Sequence, residues 1–108
     1  MSVIALDGMG GDEAPQAPVE GALVAAREGL QVLLVGDEAV LSAEVAKHGP
    51  TPSTLRIVHA PDSIGMGEHV AREVRRRRES SIWIGMELVK NGEAQSFVSM
   101  GNTGAMLA

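Results

Sequence analysis

The stretch Phe97-Val98-Ser99-Met100-Gly101-Asn102-Thr103-Gly104-Ala105 passes from a short apolar run into a glycine loop and then into residues that favour a helix. Residues 96–99 have the length and composition of a buried strand, and residues 105–108 are good helix formers. Asn102 or Thr103 can cap that helix with a side-chain oxygen. A strand, a loop and a helix start in this order collect unpaired N–H groups at the positive end of a helix dipole. The stretch predicts a capped turn between strand and helix, which can also serve as a site for an anion such as phosphate.

A second glycine-rich loop follows the first apolar run of the chain. Val3-Ile4-Ala5-Leu6 leads into Asp7-Gly8-Met9-Gly10-Gly11-Asp12-Glu13, and its three glycines permit positive φ and close approach of a ligand to the backbone. This is not the dinucleotide-binding fingerprint, because Glu13 stands where its third glycine would be needed. Asp7 and Asp12 are conceivable as an acid–base pair or as a metal site, but hydrogen bonding within a loop or at a cap is the commoner role of Asp in such positions.

Between these two loops the chain alternates strand and helix patterns. Strands are predicted at 3–6, 30–35, 55–60 and 96–99, and helices at 19–28, from an Asp37 cap through 46, at 68–79, and from a Ser80 or Ser81 cap through 89. This alternation predicts an α/β fold with a parallel sheet covered by helices on both faces. Because crossovers are right-handed, the loops at 7–13, 36–38, 60–67 and 99–104 should share one edge of the sheet, where such folds bind ligands.

Composition limits the class of protein. The chain has 108 residues, 44% of them apolar, a net charge of −5 and no cysteine. These values indicate one small globular domain and exclude a disulfide framework and a thiol nucleophile. A nucleic-acid binder is not expected, because the chain is acidic and has only two aromatic residues for base stacking, Trp83 and Phe97. We expect both of them in the core. The absence of cysteine favours a cytosolic protein, and the first residues do not have the pattern of a signal peptide.

Several further residues have two interpretations each. The run Arg75 to Arg78 can contact phosphate or an acidic partner protein, or form a solvated helix face. Ser99 is more suited to hydrogen bonding with a ligand than to nucleophilic attack, because no histidine is placed near it by sequence. The histidines at 48, 59 and 69 lack metal-ligand spacing, so no metal site is predicted.

Five motifs of this chain are similar to those of a known family in sequence, order and spacing. Residues 4–15 read Ile-Ala-Leu-Asp-Gly-Met-Gly-Gly-Asp-Glu-Ala-Pro, and residues 98–105 read Val-Ser-Met-Gly-Asn-Thr-Gly-Ala; between them lie Val35-Gly36-Asp37, Arg75-x-Arg77-x-x-Ser80-Ser81 and Leu88-Val89-Lys90-x-Gly92. Together they resemble the bacterial phosphate acyltransferases of phospholipid synthesis, the PlsX family. Glu13 stands where that family has His, Val70 where it usually has Pro, Arg77 where it has Lys, and Met100 where it has Ala.

The resemblance implies a fold, an activity and partners. The fold would be a three-layer α/β sandwich like that of isocitrate and isopropylmalate dehydrogenases, and residues 1–108 would be one domain forming the N-terminal part of a longer enzyme. That enzyme would move an acyl group from acyl carrier protein to inorganic phosphate, without metal or organic cofactor. It would be a cytoplasmic homodimer with peripheral membrane association.

The same resemblance implies which residues would line the site. The phosphate and acyl substrate would lie against Asp7, Gly8, Gly10, Gly11, Asp12, Ser99, Gly101, Asn102, Thr103 and Gly104. Arg75 and Arg77 would contact phosphate or the acidic carrier protein. Two alternatives use the same loops: an anion-binding module without chemistry, and a dehydrogenase-like nucleotide binder, which the missing third glycine counts against.

Overall fold

The computed structural model describes residues 2–63, 72 and 76–99, and has the α/β architecture that the alternating pattern predicts. The elements in chain order are β1 (Val3–Asp7), α1 (Gln16–Arg27), β2 (Gln31–Gly36), α2 (Glu38–Ala46), β3 (Leu55–His59), α3 (Ser81–Lys90) and β4 (Ser96–Val98). Most of the helix predicted at 68–79 falls outside the described residues.

All four strands run parallel in one sheet with the order β3-β2-β1-β4. The chain therefore moves outward from β1 through β2 to β3 and then returns to the other side of β1. Ala5 pairs with Leu33 on one side and with Phe97 on the other. The strand order reverses between β1 and β4, and in open α/β sheets such a point forms a crevice at the carboxyl ends of the strands.

Helices cover both faces of this sheet, as the apolar strands predict. Consecutive residues of β2 alternate between the faces: Val32 and Leu34 pack under α1 and α2, whereas Leu33 and Val35 pack toward α3. Leu23 of α1 and other buried helix residues complete the first cluster. The strands are apolar on both sides because both sides are buried.

The helix caps predicted at Asp37 and at Ser80 or Ser81 are confirmed, whereas the cap predicted at Asn102 or Thr103 lies outside the described residues. The Asp37 carboxylate accepts hydrogen bonds from the N–H groups of Ala39 and Val40 at 3.0 and 3.2 Å. Ser80 Oγ accepts a hydrogen bond from Trp83 N–H at 3.2 Å. Of the two predicted candidates, Ser80 and Ser81, the cap of α3 is therefore Ser80. A glycine with positive φ follows each of α1 and α3, since Gly29 and Gly92 have φ of 97° and 80°, as is common at the ends of helices.

Two details differ from the prediction. Helix α1 begins at Gln16, before the predicted Val19, because the residues after Pro15 already have helical geometry without a side-chain cap. Trp83 is only partly buried: its indole N–H donates to Glu87 at 2.6 Å, and the Arg78 guanidinium lies 5.3 Å from its ring centroid. The polar end of the indole needs a partner, so Trp83 sits at the edge of the core rather than inside it.

Within residues 2–63, 72 and 76–99, no helix combines the length and the apolar character needed to cross a bilayer.

Candidate functional site

The last residue of β1 and the first residue after β4 are joined by a hydrogen bond. Ser99 Oγ donates to Asp7 Oδ2 at 2.8 Å, although 92 positions separate the two residues in the chain. Asp7 is 2% exposed, and a carboxylate is buried this deeply only where hydrogen bonds replace its water. The contact ties together the ends of the two strands that precede the glycine loops.

Strand register explains why these two side chains meet. Leu6 pairs with Val98 in the parallel ladder, so the next positions along both strands, Asp7 and Ser99, lie side by side. Side chains alternate between the faces of a sheet, and Asp7 therefore follows Ala5 toward the face covered by α3. Ser99 follows Phe97 toward the same face.

The second carboxylate oxygen of Asp7 organises the loop that follows. Asp7 Oδ1 accepts from Met9 N–H at 2.9 Å, the hydrogen bond of an Asx turn. Gly8 N–H donates to Val35 O at 2.8 Å, which extends the contact between β1 and β2 by one residue. Both oxygens of Asp7 are thus engaged, one with its own loop and the other with Ser99.

The glycines of the loop are required by close packing. A Cβ on Gly10 would lie 2.7 Å from Asp7 Oδ2 and 2.8 Å from Ser99 Oγ, and one on Gly8 would lie 2.7 Å from a Leu41 methyl group. Gly11 has φ of 94°, a value that side chains disfavour. We expected the glycines to let a ligand approach the backbone closely. At Gly10, the groups that lie this close are the side chains of Asp7 and Ser99.

Neighbouring carboxyl ends lie at the same edge of the sheet, as predicted. The carbonyl oxygen of Gly36, at the end of β2, accepts a hydrogen bond from Ala60 N–H at 2.8 Å. Gly36 also faces the side chain of Met9, and a Cβ added to Gly36 would lie 2.7 Å from it. His59 Nδ1 accepts from Glu38 N–H at 3.1 Å at the start of α2. The ends of β1, β2 and β3 therefore form one connected edge.

Apart from Arg77, the predicted site residues fall into three groups. Asp7, Gly10 and Ser99 come together at the β1–β4 edge, whereas Gly8 packs toward Leu41 and Gly11 lies further along the same loop. Asp12 is exposed whereas Asp7 is buried, and an acid–base role for the two carboxylates stays a prediction. The remaining predicted residues Gly101, Asn102, Thr103, Gly104 and Arg75 lie outside the described residues.

Arg77 is engaged in a bidentate ion pair. Its Nε and Nη2 donate to the two carboxylate oxygens of Asp62 at 2.8 and 2.6 Å, and Nη2 also donates to Ser63 O at 2.6 Å. The hydrogen bonds from Arg77 hold the pKa of Asp62 below its ordinary value. Since Asp62 and Ser80 form a backbone bridge, the pair fastens the loop after β3 to the start of α3. A contact of Arg77 with phosphate or a carrier protein stays a prediction.

Acidic residues surround a cleft beside the first glycine loop. The cleft has a volume of about 380 Å³ and is lined by Glu13, Glu20 and Glu44 among others. Its three carboxylates disfavour an anion there. In residues 2–63, 72 and 76–99, no three His, Asp or Glu side chains are grouped closely enough to hold a metal ion.

Sequence reasoning missed the partners that hold the site together. The loop hydrogen bond of Asp7 agrees with the commoner role of Asp at such positions, but neither its partner Met9 nor the pairing of Asp62 with Arg77 was predicted. The Asp-Gly dipeptide at 7–8 is a turn signal and could have suggested the first contact. The second depends on tertiary placement and has no local signal.

Comparison with known proteins gives a consistent result. The sequence model of the family described as "Fatty acid synthesis protein" matches residues 2–108. The chain is 58% identical over 105 residues to a phosphate acyltransferase of Thermus thermophilus and 54% identical over 106 residues to one of Herpetosiphon aurantiacus. Each match covers 97% of this chain, and 31% and 29% of the respective relatives.

A phosphate acyltransferase of Myxococcus xanthus is 49% identical over 107 residues, which are 97% of this chain and 30% of that relative. The chain thus spans about 30% of the length of the curated relatives it matches. With the family match running from residue 2 to residue 108, the chain belongs to the fatty acid synthesis protein family, among relatives named phosphate acyltransferase.

Proposed function

We propose that this chain supplies part of the active site of an acyltransferase that moves a fatty acyl group from acyl carrier protein to inorganic phosphate. The relatives' name, phosphate acyltransferase, supports the acyltransferase class and a phosphate substrate. The resemblance of the two loop motifs supports the acyl carrier protein as donor. The product, an acyl phosphate, would serve phospholipid synthesis.

The observation that carries the proposal is the Asp7–Ser99 hydrogen bond at the point where strand order reverses. Ligands of open α/β sheets bind at this place because loops from both sides diverge there and leave a crevice. Ser99 is partly exposed, whereas Asp7 lies buried beneath it. Ser99 therefore lies at this crevice, directly before the second glycine loop in the chain.

The reaction requires little of the protein beyond positioning and charge stabilisation. One oxygen of hydrogen phosphate attacks the carbonyl carbon of the thioester, and the carbon–sulfur bond breaks with its electron pair going to sulfur. The proton of the phosphate ends on the released thiol, so that an acyl phosphate and the free carrier thiol are formed. Backbone N–H groups of the glycine loops would stabilise the oxyanion that develops on the carbonyl oxygen.

The wider setting is also part of the proposal. We expect the complete enzyme to be a cytoplasmic homodimer that associates peripherally with the membrane, and to need neither metal nor organic cofactor. The resemblance of the motifs supports these expectations.

The test is turnover by the longest natural form of the protein, supplied with acyl carrier protein bearing an acyl chain and with inorganic phosphate. Ser99→Ala should lower kcat/KM for phosphate by about 10-fold or more, because it removes the hydrogen bond between Ser99 and the Asp7 carboxylate that holds this edge in place. Hydrogen bonds that involve charged groups contribute about 1.5–3 kcal/mol. Ser96→Ala is the matched control, since Ser96 is an exposed residue of the same strand.

Two results would count against the proposal. Absence of acyl phosphate formation by the unmodified protein would remove the acyltransferase activity, and phosphate binding without turnover would favour an anion-binding module. Equal rates for Ser99→Ala and Ser96→Ala would show that the β1–β4 edge is not the phosphate site.

A further inference from the structure

We propose that the acyl carrier protein docks on the outer surface of helix α3. Acidic side chains of the carrier protein pair there with Arg78 and Lys90. An apolar side chain of the carrier protein lies between Trp83 and Met86. These four residues form the α3 patch. The inference rests on the proposed function, in which the carrier protein is the acyl donor, and it adds the surface on which that donor binds.

Positive charge is concentrated in the part of the chain that carries the α3 patch. Residues 72–90 hold six of the nine basic residues of the chain but only three of its fourteen acidic residues. This segment therefore has a net charge of +3, whereas the rest of the chain has a net charge of −8. An acidic partner protein is attracted to the first part and repelled by the second, so charge directs it toward α3.

The guanidinium of Arg78 is positioned for a carboxylate of a partner. Arg78 is exposed, and its guanidinium carbon lies 5.3 Å from the centroid of the Trp83 ring. Contact with the ring restricts the Arg78 side chain but uses none of its N–H donors. Among the described residues, no oxygen accepts a hydrogen bond from Arg78. A guanidinium held in this way loses little side-chain freedom when it binds a carboxylate.

A groove on α3 supplies the apolar part of the patch. Trp83, Met86 and Lys90 follow one another at spacings of three and four residues, so they lie on one face of the helix. Together with Glu87 they line a groove of about 140 Å³. Trp, Met and Arg are enriched in protein interfaces, where they fill or surround such grooves. A concave groove suits a protruding side chain of a protein, whereas a bilayer presents a flat surface.

The carboxylate in this groove already has a hydrogen-bond donor. Glu87 Oε1 accepts a hydrogen bond from the indole N–H of Trp83 at 2.6 Å. The indole N–H is the only polar group of that side chain, so the rest of the Trp83 ring offers an apolar surface to a partner. With Arg78 and Lys90 on the same surface, two positive charges accompany this one negative charge.

The α3 patch lies beside the candidate site. Ser81 N–H, at the start of α3, donates to Asp62 O at 3.0 Å in the loop after β3, so the first turn of α3 is at the carboxyl edge of the sheet. Helix α3 also covers the face of the sheet toward which Asp7 and Ser99 point. A carrier protein on the patch is therefore placed to bring its thioester to a phosphate bound at that edge.

The experiment measures KM for acyl carrier protein bearing an acyl chain, with the longest natural form of the protein and inorganic phosphate as acceptor. Arg78→Glu and Lys90→Glu should each raise this KM about tenfold or more, because like charges then face each other across the interface. The KM for phosphate should stay unchanged. The matched control is Arg56→Glu, which makes the same change of charge at an exposed residue of β3 and should leave both KM values unchanged.

Three results would overturn the docking surface and leave the proposed function standing. The first is a KM for the carrier protein that is the same in Arg78→Glu, Lys90→Glu and Arg56→Glu. The second is an equal rise of KM for the carrier protein and for phosphate, which would show a structural effect on the site. The third is loss of binding to vesicles of anionic phospholipid with an unchanged KM for the carrier protein, which would assign the patch to the membrane.

The unmodified protein tests the proposed function separately. If it forms no acyl phosphate from the carrier protein and phosphate, the proposed function is wrong, and the donor surface is overturned with it.

Discussion

Gly10→Ala is the smallest change that separates the Asp7–Ser99 pair. The added methyl group would stand 2.7 Å from Asp7 Oδ2, 2.8 Å from Ser99 Oγ and 3.3 Å from Asp7 Cγ. Non-bonded heavy atoms prefer separations of about 3.5 Å or more, so the two side chains must give way by roughly 0.7 Å.

The cost follows from how firmly the pair is held. Overpacking by one methyl group in a tight site costs about 1–3 kcal/mol of unfolding free energy. We expect the upper part of that range, because Asp7 is buried and its other oxygen is bound to Met9. Separation of the pair would also weaken phosphate binding at Ser99.

Urea denaturation of the variant, followed by circular dichroism, measures the first effect, and calorimetric titration with phosphate measures the second. Gly21→Ala is the control: Gly21 lies inside helix α1, and a Cβ there meets no atom within 4 Å. That change should stabilise the protein by about 0.5–1 kcal/mol. A Gly10→Ala protein as stable as the unmodified one, with undiminished phosphate affinity, would refute the reasoning.

Three further substitutions test the framework around the site. Asp37→Ala should lower the unfolding free energy by about 0.5–2 kcal/mol in urea denaturation, while Asp37→Asn, which keeps a cap oxygen, should cost much less; equal losses would contradict the cap. Arg77→Gln should lower the unfolding free energy at pH 7. This loss should shrink as the pH falls below 3.8, the ordinary pKa of aspartate, because the lowered pKa of Asp62 stabilises the fold only while that carboxyl is ionised. A loss that does not depend on pH in an acid titration would show that the ion pair does not contribute to stability. Gly85→Ala should lower the melting temperature, because a Cβ there overlaps the Phe97 ring, and an unchanged value would show that α3 can shift freely.

Much of the fold is encoded locally and could be predicted. The strand β2 reads Val-Leu-Leu-Val, which is apolar on both faces, and Asp37 stands where a helix needs a cap. The predicted start of α1 lies three residues after the observed one, because its first turn has no side-chain cap to mark it.

The site could be predicted in part, because it combines local and distant information. Asp7 and Ser99 each end an apolar run, and right-handed crossovers bring both to one edge of the sheet. That they touch depends on β4 pairing with β1 and on the register that sets Ala5 opposite Phe97. Strand order and register depend on packing across the whole domain, so no local pattern encodes them.

The pairing of Arg77 shows the same limit. A run of four arginines predicts a basic surface for an anion or an acidic partner. The residue that Arg77 binds, Asp62, lies 15 positions earlier and is brought close by the bridge to Ser80.

The most direct measurement of the central claim is an amide-resolved NMR titration of the protein with inorganic phosphate. The Asp7–Ser99 edge predicts saturable shifts at the amides of Met9, Gly10 and Ser99, and none at Gly49, which lies at the opposite edge of the sheet between α2 and β3. Absence of shifts at the β1–β4 edge, or saturable shifts centred on Gly49, would contradict the claim.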